Sequence, residues 1–381
     1  MSPENSNPAE ETGLQFHPGS GLARLPNAGT PALSEIINRS LFHVQTSKAL
    51  GMRHRIGEHE LYGPDYRLVC AWAEDVRLTP EEVLRRLLAD DSGYIWRTRI
   101  ENGRFKALNV DKKTLAISSI PSIDGLVVEI LRLQMQEALL GLDFSMFPNL
   151  TKLWCAGNQL TELDLSQVPN LTKLVCHANQ LTELNLFLVP KLTELFCDGN
   201  QLTELDLFHV PNLTGLVCHD NHLTELDFSQ VPNLTGLGCY GNQLIELDLS
   251  QVPGLTLLDC SGNQLIELVL PQAPNLTSLF CSGNQLTELD LCHVPNLTKL
   301  VCHGNQLTGL DLSQVPNLTE LGCADNQLTE LDLSGRPNLT VLCCGGNPLT
   351  TLDIRSLKSL RQLEFDHDKV SLIQRSDQNF K

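Results

Sequence analysis

The chain has 381 residues, of which 41% are hydrophobic and 5% aromatic, and its 27 basic against 45 acidic side chains leave a formal net charge of −18. A balance this acidic excludes a basic nucleic-acid-binding protein, and no run reaches the roughly 18 to 20 apolar residues that a membrane-spanning helix needs. Leucine dominates, while Gly, Asn and Thr recur at fixed intervals, which is the composition of a repeat array.

Residues 1–30 are rich in Ser, Pro, Asn, Gly and Glu, with early acidic groups and no apolar h-region, so they predict a mobile leader and no Sec-type signal. Residues 31–110 predict a small, mainly helical domain that ends in a β-hairpin. Leu33, Ile36, Ile37, Leu41 and Val44 share one helical face; Tyr66, Val69, Cys70 and Ala73 share another after Pro64-Asp65. Thr79-Pro80-Glu81-Glu82 combines an N-cap, a first-turn proline and a capping-box Glu ahead of Val83, Leu84, Leu87 and Leu88. Tyr94 to Ile100 and Arg104 to Val110, joined at Asn102-Gly103, form the expected hairpin. Around His43, His54, His59, Cys70 and Trp72 there is no nucleophile–base spacing, phosphate-binding glycine loop or metal pair, so they read as core or surface positions. No catalytic residue, metal or cofactor is expected, and the chain reads as a non-enzyme.

Residues 111–149 predict an N-terminal capping region. Leu131-Arg132-Leu133 reads as a degenerate strand with one extra residue, Leu142-Asp143-Phe144 lies one period before Leu163-Asp164-Leu165, and the array is expected to start near Leu108. From 150 to 359 run ten consecutive 21-residue copies, beginning LTKLWCAGNQLTELDLSQVPN and closing with LTVLCCGGNPLTTLDIRSLKS, each reading LxxLxCxxNxLxxLxLxxxxx. Leu153 and Cys155 alternate with Lys152 and Trp154, and Leu163 and Leu165 with Glu162 and Asp164, the period of strands with one buried face. Two extended segments per turn, joined by tight bends, predict a flattened coil whose strands pair with their copies one turn on at about 4.8 Å.

This pattern resembles the leucine-rich repeat, and the nested spacing of ten and eleven within each unit resembles the bacterial class called IRREKO. The resemblance covers the repeats alone and implies a β-rich solenoid with a parallel sheet and little helix in the repeats, and a concave sheet that takes a protein partner; the helical domain before it is read from its own residues. The Asn column, Asn158 to Asn347, marks a bend whose backbone groups need an amide that both donates and accepts. Ten of the 13 cysteines, from Cys155 to Cys344, fall one turn apart. Parallel strands would hold their Cβ atoms near 4.8 Å, beyond the roughly 3.5 to 4.5 Å that a disulfide prefers, so they are expected as free, buried thiols. Cys176-His177, Cys218-His219 and Cys302-His303 cannot grip one ion, because adjacent strand residues point to opposite faces. Unpaired thiols fit a reducing compartment, predicting a bacterial cytoplasm, or a host cytosol if the protein is translocated.

The acidity belongs to the repeats, which hold 7 basic and 22 acidic groups, sixteen of them in a Glu column from Glu162 and an Asp column from Asp164; these read as a solvated face that opposes aggregation. Around the fixed columns, three outward ones vary from turn to turn. One holds Trp154, Val175, Phe196, Val217, Asp259, Phe280 and Val301; a second holds Lys152, Lys173 and Glu194; a third holds His177, Asp198, His219, Tyr240 and His303. Fixed columns define a scaffold and variable ones recognition. Trp154, Val175, Phe196 and Val217 are expected as an exposed apolar stripe, with these fifteen residues contacting the partner. Residues 360–381 predict a C-terminal cap, with Leu360, Leu363 and Phe365 continuing the columns and Asp368 in the Asn position. The reading is a protein-interaction scaffold; the alternative is a translocated bacterial virulence effector whose repeats bind a host protein and whose N-terminal domain recruits or modifies host machinery.

Overall fold

The computed structural model describes residues 53–89, 98–102, 104–111, 126–134, 144–270, 273–378 and 380. The chain divides into two units, 1–48 and 49–381, and the first lies wholly outside the described residues. The expected leader, the helix over Leu33 to Val44, His43, the outer part of the hairpin at 94–97, and Leu142-Asp143 also lie outside them.

The second unit opens with an antiparallel hairpin, β1 (Arg53–Ile56) and β2 (His59–Tyr62), where the sequence reading expected only helix. The reason is local: Gly57 adopts a left-handed φ of 57°, and Ile56 and Leu61 are buried while Arg53, Arg55 and Glu60 face out. Helix α1 (Gly63–Asp75) follows with Pro64 in its first turn, and α2 (Pro80–Leu88) is capped as expected, Glu82 N–H donating to Thr79 Oγ1 at 3.2 Å. Val69 and Ala73 are buried with Leu68 and Trp72, whereas Tyr66 and Cys70 are half-buried.

These elements pack against one edge of a 14-stranded sheet. It begins with β3 (Arg99–Glu101), antiparallel to β4 (Arg104–Asp111), then runs parallel through β5 (Ile130–Gln134), with Leu108, Leu131 and Leu153 in register. The hairpin expected in the helical domain is thus the first edge of the solenoid sheet, and parallel pairing begins at Ala107, one residue before Leu108. Asp65, fully buried on α1, ties the two parts together: Arg104 Nε donates to its carboxylate at 2.7 Å and the Phe105 N–H at 2.8 Å.

Each repeat then contributes one three-residue strand: β6 (Lys152–Trp154), β7 (Lys173–Val175), β8 (Glu194–Phe196), β9 (Gly215–Val217), β10 (Gly236–Gly238), β11 (Leu257–Asp259), β12 (Ser278–Phe280), β13 (Lys299–Val301), β14 (Glu320–Gly322) and β15 (Val341–Cys343). The second extended segment forms a paired strand only at the C-terminal end, where β16 (Thr351–Asp353) pairs with β18 (Ser371–Ile373). Elsewhere in the described repeats its leucines are buried without a strand ladder, except for the half-buried Leu331.

β17 (Gln362–Glu364) closes the long sheet beside β15, with Phe365 buried beneath it. Asp368, however, is exposed, and Asp366 instead accepts the Gly346 N–H at 2.9 Å. Among the described residues no helix is long and apolar enough to cross a membrane.

Candidate partner-binding face

Counting each turn from its first leucine, positions 3 and 5 lie at the ends of the three-residue strand and position 7 just beyond it. A hydrogen-bonded frame fixes them. At position 2 each Thr hydroxyl donates to the carbonyl one turn back, from Thr172 on Thr151 at 3.0 Å to Thr340 on Thr319 at 2.9 Å. At position 9 the Asn amide bridges turns. Asn200 Nδ2 donates to the carbonyls of Cys197, Asp198 and Cys176, and its Oδ1 accepts the Leu181 N–H at 3.0 Å. All ten position-8 residues, from Gly157 to Gly346, have positive φ, including the non-glycines Ala178, Asp220 and Asp325.

The position-6 cysteines are buried and unpaired, and burial pushes the Cys155, Cys218, Cys260, Cys302 and Cys344 thiols up to about 12. On the other side of the turn, the Asp column does more than carry charge. Asp164, Asp206, Asp227 and Asp248 each accept the backbone N–H two residues on, closing the bend, and Asn185 does the same at 2.9 Å. Where Val269 replaces the acid, the residue two on is Pro271, which has no N–H to bond.

The apolar stripe is less open than the sequence reading expected. Trp154 and Val175 are each only 8% exposed, and Phe196, Val217, Phe280 and Val301 are half-buried. Side chains in one column stand a strand spacing apart and cover each other. Trp154, Val175 and His177 do come together, with Arg132 and Ala178, around a cleft of about 220 Å³. Lys173 pairs with Glu194 and lies 4.8 Å from the Phe196 ring centre; Lys299 pairs with Glu320 at 2.6 Å and lies 5.4 Å from that of Phe280. Lys152 and Tyr240 are exposed, and Asp198 and Asp259 half-exposed.

His219 and His303 serve the frame as well as the face. Each imidazole folds over the glycine of the next turn, so that a Cβ on Gly238 or Gly322 would come within 2.4 Å of the ring. His219 Nδ1 accepts the Tyr240 N–H at 3.0 Å and His303 Nδ1 the Ala324 N–H at 2.9 Å. Burial holds His219 below the usual histidine range, against the pull of Asp259, Asp198 and Asp220. The Tyr240 ring lies 4.1 Å from that of His219, and its hydroxyl donates to Asp220 at 2.6 Å. Sequence reasoning missed this coupling, although both glycines follow a position-7 His one turn earlier. Leu257, in the same outward column as Lys152 and 43% exposed on the sheet, was left out of the fifteen contact residues, and the exposed Phe187 and Phe208 on the bends were missed.

The family model of leucine-rich repeats (2 copies) matches residues 148–187 and 274–314. The functional domain of InlJ from Listeria monocytogenes, described as including a cysteine ladder, is 32% identical with a TM-score of 0.58, over 70% of this chain and 68% of that one. The chain belongs to the leucine-rich-repeat family.

YopM from Yersinia enterocolitica WA-314 is also 32% identical, with a TM-score of 0.53, over 68% of this leucine-rich-repeat protein and 58% of YopM. An internalin, InlF, from Listeria monocytogenes shares the fold at 21% identity and a TM-score of 0.59, over 68% and 86% of the two chains. No curated protein sequence matches the chain. This leucine-rich-repeat protein has its own column of ten buried cysteines, one per repeat.

Proposed function

We propose that this leucine-rich-repeat protein is a non-enzymatic scaffold that holds a protein partner on the sheet face formed by positions 3, 5 and 7. One observation carries the reading: strands in register present a composition that changes from turn to turn, on a frame whose Thr, Cys, Asn and Asp columns are each occupied by bonding or burial within the fold. The alternative, a translocated effector whose N-terminal domain recruits or modifies host machinery, draws on residues 1–30, which lie outside the described residues, and on the 31–110 domain, which is described in part.

The test is affinity capture from lysates of the producing cells and of cultured animal cells, with captured proteins identified by mass spectrometry. Lys152→Glu, Tyr240→Ala and Leu257→Asp combined change exposed sheet residues; Phe187→Ser with Phe208→Ser changes exposed residues on the bends. The scaffold reading expects a captured protein that the sheet variant loses and the bend variant keeps. Loss in the bend variant alone contradicts it.

A further inference from the structure

The sheet face is not uniform along its length. At position 3, β9 and β10 carry Gly215 and Gly236, between Glu194 on β8 and Leu257 on β11. A Cβ on Gly236 would meet nothing within 4 Å, and one on Gly215 only the Glu194 side chain at 4.0 Å. Glu194 and Leu257 stand three strand spacings apart, about 14 Å, so these turns form a notch floored by bare backbone. Further along the same strands the floor continues as the His219 ring over Gly238, with the Tyr240 ring 4.1 Å from it and tilted by 33°.

The charge of this stretch is one-sided. From Glu194 to Ser282 the three sheet columns contain no Lys or Arg, while Asp198 and Asp259 stand in them and Asp220 beside them. The flanking lysines are already engaged, Lys173 with Glu194 and Lys299 with Glu320. Asp259 and Asp220 each accept one bond within the fold, from the Ser261 N–H and the Tyr240 hydroxyl, which leaves further acceptor capacity on both carboxylates.

Resting on the scaffold reading above, we infer that this notch receives an arginine side chain from a basic, extended segment of the protein partner. The glycine floor admits the long aliphatic stem. The Tyr240–His219 platform offers a ring face for the planar guanidinium, and the carboxylates around it supply acceptors in the forked geometry that guanidinium matches and ammonium does not.

The experiment measures fluorescence anisotropy of a fluorescein-labelled peptide of alternating Gly and Arg, and of its Gly-Lys counterpart, with the full chain at about 150 mM salt, where general attraction to an acidic protein is screened. Gly236→Leu fills the notch with the residue that the next turn already carries in that position, so the fold accommodates it; thermal melts verify this. Asp198→Asn with Asp259→Asn removes two of the carboxylates. Glu225→Gln with Glu246→Gln makes the same charge change on the acidic column, away from the sheet face.

The Arg peptide is expected to bind more tightly than the Lys peptide. The Asp pair should weaken it about 10-fold, Gly236→Leu about 5-fold, and the Glu pair less than about 2-fold. Three results would overturn the assignment: no binding by the wild-type protein, equal loss in the two charge pairs, or binding unaffected by Gly236→Leu. If the sheet variant still loses its captured partner while the peptide fails, only the arginine assignment falls. If capture survives the sheet variant, the scaffold reading falls whatever the peptide does.

Discussion

Ala178 pays a steric cost in the position-8 column and has no polar side-chain group to set against it. Its φ of 53° is left-handed, like that of the glycines above and below it, but it carries a Cβ and no polar group, whereas Asp220 in the same column accepts the Tyr240 hydroxyl. Ala178→Gly should therefore raise stability by about 0.5 to 1 kcal/mol in urea unfolding, the relief of strain exceeding the entropy that glycine adds to the unfolded chain. A second consequence concerns protons. Asp353 is held down to about 2, first by its side-chain bonds to Arg355 and then by the Arg355 N–H, and Asp248, Asp290, Asp311 and Asp332 are lowered by bonds to the bend two residues on. A carboxyl whose folded pKa lies below its unfolded value stabilises the fold above the unfolded value and stops doing so as pH falls through the folded one. The stability difference between wild type and Asp353→Asn should accordingly be constant at neutral pH and shrink between about pH 4 and 2. A difference that does not change over that window contradicts the assignment.

At the level of the single turn, the Asn amide ties one bend to the next. Asn200→Ala would leave the Leu181 N–H without its acceptor and take one of two donors from each of the carbonyls of Cys176, Cys197 and Asp198, which also bond Asn179 Nδ2, Asn221 Nδ2 and the Ala178 N–H. The expected loss is about 3 kcal/mol or more, read from the urea midpoint, against a fraction of that for Gln201→Ala on the exposed bend beside it. The turn was also the scale at which the sequence was most readable. A 21-residue period without insertion leaves the register no freedom, so the buried Leu, Cys and Asn columns followed from spacing alone. The Asp column was read as solvated charge because it alternates like one; Asn185, which keeps the oxygen and drops the charge, was the signal that geometry mattered more. The stripe of Trp154 and Val175 was misjudged because alternation says which way a side chain leaves the strand, not how far its neighbours in adjacent turns cover it. The β1–β2 hairpin was missed because two four-residue strands bearing Arg, His and Glu give no periodicity long enough to weigh against a helix.

Among the described residues one continuous apolar core runs from Ile56 beneath the helices to Val370 in the C-terminal cap. Such an array hides its thiols together. In the native protein a thiol reagent should modify the exposed Cys292 readily, while the ten column cysteines react only on unfolding, when the total reaches 13. Column thiols reacting at the rate of Cys292 would mean that the interior is open. With frame residues committed inward or to the bends, the part of the coil left to vary on an ordered surface is the sheet face. The most direct test of that idea places a photocrosslinking amino acid at Leu257 on the sheet or at Phe208 on the bend, in the presence of the captured protein. Crosslinking at 257 and not at 208 is the predicted result; crosslinking at 208 and not at 257 would contradict the account.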